Sequence, residues 1–223
     1  MREEIIELLN KVLITHSPGD LESEMDEIVK EHLSQCASEV YHDPHDNIYI
    51  KFAGKQGSPL TLVSAHKDEL SLIIRKIDED GKIWLESITP FKYGEGPFDL
   101  ITSNGVIEGV LCIGSVHSSD LSSRVYRAKT RLLTWDMVYL DCKLDQKQLN
   151  ERGVIVGDRA VIGRRRKQPM YLNNEYVCGY ALDDKAAVVI LLILAKKLKE
   201  TQPIHDVCLA ITSREEAGVS GGA

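Results

Sequence analysis

Apolar residues recur at helical spacing from the start of the chain: Ile5, Ile6, Leu8, Leu9, Val12 and Leu13 fall on one face, which predicts an amphipathic helix. A second helix is predicted after Ser17-Pro18-Gly19-Asp20, with Leu21, Met25, Ile28, Val29 and Leu33 inward. The runs Asn47–Phe52 and Leu60–Ala65 read as strands separated by the turn Ala53-Gly54-Lys55-Gln56-Gly57. The second run is nearly all apolar, the pattern of a strand covered on both faces. From about Leu70 to Arg165 the pattern shortens, with strands expected at Leu72–Ile77, Ile83–Ile88, Gly105–Ile113, Met137–Asp141 and Arg159–Ile162 and one short helix at Asp145–Arg152. Many short strands punctuated by Gly, Asn and Pro suggest a small β-barrel or sandwich. Near Tyr176 the α/β pattern resumes, with a helix over Lys185–Glu200 and a strand over Asp206–Thr212. Arg214-Glu215-Glu216-Ala217-Gly218 then opens a helix that the sequence ends too soon to complete. The expected fold is α/β, with 1–69 and 167–223 forming one domain and 70–166 inserted as a β-barrel.

Charge and composition narrow the partners. The 223 residues carry 27 Lys and Arg against 34 Asp and Glu, a net charge of −7, which argues against nucleic acid because binding to polyanions needs a basic excess. The longest apolar run, Ala186–Ala195, is about half a membrane span and reads as a buried helix, so no membrane partner is expected. Cys36, Cys112, Cys142, Cys178 and Cys208 form no close pair, and Met1–Asn10 is interrupted by acids where a signal peptide would be apolar. A cytoplasmic protein with reduced thiols is expected.

Three groups of chemically able side chains sit at the ends of the most apolar segments. His66 and Asp68 close the run Leu60–Ala65, Asp183 and Asp184 precede the apolar helix, and Glu215 and Glu216 follow Asp206–Thr212. In open α/β sheets, sites form beyond the carboxyl ends of strands, so these groups can converge. One imidazole with several carboxylates suits a divalent cation such as zinc, cobalt or manganese. Taken singly, each has a plainer reading: a surface His–Asp pair, a helix cap, and first-turn helix acids. Their joint occurrence beside core elements favours the metal. The basic run Arg164-Arg165-Arg166-Lys167 reads as a solvated linker. His117 has no nucleophile elbow near it, and His16, His32, His42, His45 and His205 lack ligand spacing and read as structural or surface groups.

The blocks Ala65-His66-Lys67-Asp68-Glu69, Ala181-Leu182-Asp183-Asp184-Lys185 and Arg214-Glu215-Glu216-Ala217-Gly218, in that order, resemble the signature blocks of metallopeptidase family forty-two. These are the tetrahedral-particle aminopeptidases, also labelled glutamyl aminopeptidase or endoglucanase. Gly105–Val110 and Arg152–Asp158 are similar to landmarks of that family's inserted β domain. The resemblance implies a zinc-peptidase-like catalytic domain and two divalent metal ions, zinc or cobalt. It implies His66, Asp183 and Glu216 as ligands, Asp183 bridging, with Asp68 holding the His66 tautomer and Glu215 as general base. It also implies a cis Asp183–Asp184 peptide, short peptides as substrate, and a homo-oligomer, a dodecamer in similar full-length enzymes.

Similar enzymes continue past the point where this sequence ends and supply a further Asp and a further His ligand. The resemblance therefore implies an incomplete catalytic domain that binds metal weakly or at one site, does not hydrolyse peptides, and exposes apolar faces. Two other functions compete with the peptidase: a non-enzymatic binding or assembly module built on the β domain, and an endoglucanase using Glu215 and Glu216. Adjacent glutamates make a poor glycosidase pair, because those carboxylates must flank the scissile bond.

Overall fold

A computed structural model describes residues 1–34, 36, 40–87, 93–114 and 119–219. His117 lies outside the described residues. The chain divides into two units, Met1–Leu70 with Lys167–Ala223, and Ser71–Arg166.

The chain begins in the first unit with α1 (Arg2–Ile14), α2 (Ser23–Ser34), β1 (Val40–His42), β2 (Ile48–Phe52) and β3 (Leu60–His66). It enters the second with β4 (Leu72–Ile77), β5 (Ile83–Glu86), β6 (Gly96–Thr102), β7 (Gly105–Cys112), α3 (Arg124–Thr130), β8 (Tyr139–Asp141), α4 (Gln146–Glu151), β9 (Arg159–Ile162) and α5 (Arg164–Lys167). It returns with β10 (Met170–Leu172), β11 (Tyr176–Cys178), α6 (Leu182–Glu200) and β12 (Asp206–Thr212).

In the second unit six strands close a barrel in the order β4-β5-β8-β7-β6-β9. Alternation along each strand sends Leu72 and Ile74, Ile83 and Leu85, and Phe98 and Leu100 into its core. A capping box between Asp145 and Gln148 starts α4. Two elements escape the apolar pattern. The strand β6 begins Gly-Pro and carries a buried Asp99, whose carboxylate accepts from the Arg164 N–H at 3.0 Å. Ser123 caps α3 by accepting from the Tyr126 N–H, so the unit holds more than the one helix expected.

In the first unit the sheet order is β1-β2-β12-β3. Leu8, Leu9, Val12 and Leu13 of α1, the buried stripe of α2, and Val188, Val189, Leu191 and Leu192 of α6 form one core with Ile48, Ile50, Leu209 and Ile211. Two expectations are corrected here. The strand β3 is not covered on both faces: it is an edge strand, and Leu60 and Leu62 are 60% and 61% exposed. The basic run is not wholly a solvated linker, because Lys167 is fully buried and paired with Glu69. A sequence pattern sees four like charges, whereas burial of one of them depends on a partner 98 residues away. No helix among the described residues is long and apolar enough to cross a membrane.

Candidate metal centre

The site follows from strand register. The strands β12 and β3 pair in parallel, with Thr212 beside His66, and the Lys67 N–H continues the ladder to the Thr212 carbonyl at 2.8 Å. The segments leaving the two strands therefore run side by side. Asp68, fully buried, binds the second segment: its Oδ1 accepts from the Glu215 N–H and its Oδ2 from the Glu216 N–H, both at 3.0 Å. Burial pushes the Asp68 carboxyl up, but His66 and these two backbone donors outweigh it and hold its pKa below the usual range.

His66 is the hub. Its Nδ1 faces Asp68 Oδ1 at 3.4 Å, and its Nε2 lies 3.2 Å from Asp183 Oδ1 and 3.7 Å from Glu215 Oε2. Burial opposes the imidazolium, yet Asp68, Asp183 and Glu215 outweigh it and raise the pKa to about 9. A cation binding there at neutral pH must displace that proton. Glu216 shifts upward through burial, reinforced by the neighbouring carboxylates Glu215, Asp68 and Asp183.

Asp183 arrives from the start of α6, where Asp183 and Asp184 have non-helical dihedrals and the peptide between them is cis. The Asp184 carboxylate accepts from the His66 N–H at 3.4 Å. Asp68, Asp183, Glu215 and Glu216, singled out from the sequence with His66, thus lie around its imidazole. Donor atoms of His66, Glu215 and Glu216 lie within 4.8 Å of one another. The Asp183 side chain stands outside that triplet, 91% exposed, and reaches in through His66. One imidazole with clustered, mutually repelling carboxylates fits a borderline divalent cation. An open cleft of about 350 Å³ adjoins it, lined by Tyr49, Leu62, Ser64, His66, Asp184 and Glu215 among others.

Several supporting residues carry no signal in the sequence. Arg214, at φ 57°, gives its N–H to the buried Glu22 carboxylate and its guanidinium to Asp20 and Asp46. Asn47 accepts from the Ser213 N–H at 2.9 Å. Beyond Arg214 the Gly218 and Val219 N–H groups close a single turn on the Glu215 carbonyl, and positive φ at both residues ends it.

A grouping of this make-up, at the carboxyl ends of neighbouring strands, is suited to a metal-dependent enzyme. The family model described as M42 glutamyl aminopeptidase matches residues 46–223, and the chain belongs to that family. The lysyl aminopeptidase of Pyrococcus furiosus is 24% identical over 96% of this chain and 60% of its own. Among solved structures, a TET aminopeptidase from a marine-sediment Thaumarchaeota archaeon is 21% identical, covers 99% of this chain and 61% of its own, and has a TM-score of 0.85. The Pyrococcus horikoshii TET1 peptidase, which can assemble into a tetrahedron or a large octahedral shell, is 25% identical, covers 97% and 63%, and has a TM-score of 0.81. The chain spans 49% to 64% of the length of four curated relatives that it matches.

Proposed function

We propose that the whole protein is a cytoplasmic, metal-dependent aminopeptidase that releases N-terminal residues from short peptides, working as a homo-oligomer. The observation that carries this reading is the parallel β3–β12 register, which gathers the His66, Glu215 and Glu216 donors within 4.8 Å. Two divalent ions, zinc or cobalt, would be held by His66 and Glu216 with Asp183 between them. When bound, such ions acidify water and polarise the scissile carbonyl.

The chain's own groups do the rest. Glu215, lining the cleft, takes a proton from the attacking water and returns it to the leaving amine. Asp68 accepts from the backbone of both glutamates while facing His66, so one buried carboxylate sets the relative placement of a ligand and the base. The adjacency of Glu215 and Glu216 fits this division of labour, whereas a glycosidase pair must stand on opposite sides of a bond. The oligomer rests on the assembling Pyrococcus horikoshii relative, and the compartment on the five free cysteines.

The test sets aminoacyl-anilide and cellulose substrates side by side, with zinc or cobalt supplied and then chelated. Metal-dependent release from the anilides alone supports the reading. Metal-independent cellulose cleavage, or no turnover of either by the whole enzyme, rejects it. A second measurement isolates Asp68: Asp68→Ala is expected to weaken zinc binding about 10–100-fold, as loss of a group orienting a ligand does. Isothermal titration checks it, and unchanged affinity rejects the orienting role.

A further inference from the structure

His66 ends β3, and Lys67, Asp68 and Glu69 follow it. His66 and Asp68 turn towards the candidate centre, while Lys67 and Glu69 turn away and are buried to 0% and 4% exposure. The Lys67 ammonium is met by Asp26 and the Asp46 carbonyl. Glu69 has a more consequential set of partners. Its Oε1 accepts from the Ser17 N–H at 2.9 Å and from Lys167 Nζ at 2.5 Å, and its Oε2 lies 3.6 Å from Lys185 Nζ. The Lys167 ammonium also reaches the Thr15 carbonyl at 3.2 Å and His16 Nδ1 at 2.9 Å. Lys185 donates to the Thr15 carbonyl at 2.6 Å. Both lysines are fully buried.

Lys185 follows Asp183-Asp184 directly, at the point where regular helix begins in α6. At that start Ala181 occupies the cap with a left-handed backbone and no side-chain hydrogen bond, and the Asp184 carboxylate accepts from the Ala187 and His66 N–H groups. The Asp183 carboxylate is 91% exposed on its own side. Directly behind the Asp183–Asp184 pair in sequence, Lys185 is anchored by the Thr15 carbonyl and faces Glu69. We propose that Glu69 is a positioning residue for the metal centre, its buried carboxylate holding Lys185, and with it the Asp183–Asp184 turn, opposite His66. The inference rests on the metal reading above. An ion pair removed from water holds its geometry only while both charges remain, because each alone is costly to bury. Glu69 and Lys185 thus couple the end of β3 to the start of α6 on the side of the backbone away from the metal.

Zinc affinity, measured by competition with a chromophoric chelator at a temperature well below unfolding, is compared with Tm for the parent, Glu69→Gln, Lys185→Met and Val29→Ala. Lys185→Met leaves the Glu69–Lys167 pair intact, so it decides the matter if Glu69→Gln does not fold. Lys185→Met, and Glu69→Gln where it folds, are expected to bind zinc about 10–100-fold more weakly. Val29→Ala, a core truncation in α2, should lower Tm without changing affinity. Parental affinity in a folded Lys185→Met chain overturns the inference, whatever its Tm. All four are made in the whole enzyme, and a whole parent enzyme that binds no zinc overturns the metal reading itself.

Discussion

Replacing Glu215 with Gln is expected to cut aminopeptidase turnover by the whole enzyme about 10²–10⁴-fold, the usual worth of a general base. Metal content should stay near that of the parent. Both glutamates belong to the same 4.8 Å cluster with His66, so proximity alone does not separate their roles. The separation comes from placement. Glu215 lines the open cleft and keeps 43% of its side chain exposed, where an attacking water and a substrate amine can reach it. Glu216 has its pKa raised by burial and by neighbouring carboxylates, the setting in which a bound cation relieves most strain. Glu216→Gln should therefore lose metal as well as turnover. Steady-state assays paired with metal analysis decide the point. A Glu215→Gln enzyme that keeps full turnover, or loses metal as completely as Glu216→Gln, would end the assignment of Glu215 as base.

The parts of this fold that were legible in the sequence are those whose pattern is local. The stripe Leu8, Leu9, Val12 and Leu13 gave α1, and uninterrupted apolar runs gave α6 and β12 nearly to the residue. What stayed hidden depends on partners distant in sequence. No strand is expected at β6, which opens on Gly96-Pro97, and pairing with β7 and β9 in the barrel makes it one. The apolar run of β3 looked like a strand buried on both faces, but β12 covers only one of its edges and Leu60 and Leu62 stay exposed. The site divides in the same way. Its acids and histidine announced themselves by their chemistry. What the sequence did not show is the holding contacts: Asp68, itself singled out, accepting from the Glu215 and Glu216 backbones, Glu22 accepting from Arg214, and Glu69 between two buried lysines. Each acts across at least 98 residues, so no window of sequence contains both ends.

Changing Asp183 to Ala is expected to abolish metal binding altogether, a larger loss than any change in the orienting groups. The argument is one of ligand economy. A catalytic zinc takes about three protein ligands and leaves a position for water. If one carboxylate serves two ions, its removal strips a ligand from both at once, while Asp68→Ala leaves every ligand in place and only loosens His66. The geometry sets Asp183 apart in a way that suits the shared role. Its Oδ1 lies 3.2 Å from His66 Nε2, yet its side chain is 91% exposed, so a second cation could approach from the open side. Asp184, whose carboxyl is pushed up by burial, is already engaged with the His66 N–H. Inductively coupled plasma analysis after dialysis against zinc or cobalt gives the readout. Two metals per active site in the whole parent enzyme and none in its Asp183→Ala variant is the expected result. One metal retained in the variant would make Asp183 a ligand to a single ion, and two retained would remove it from the centre.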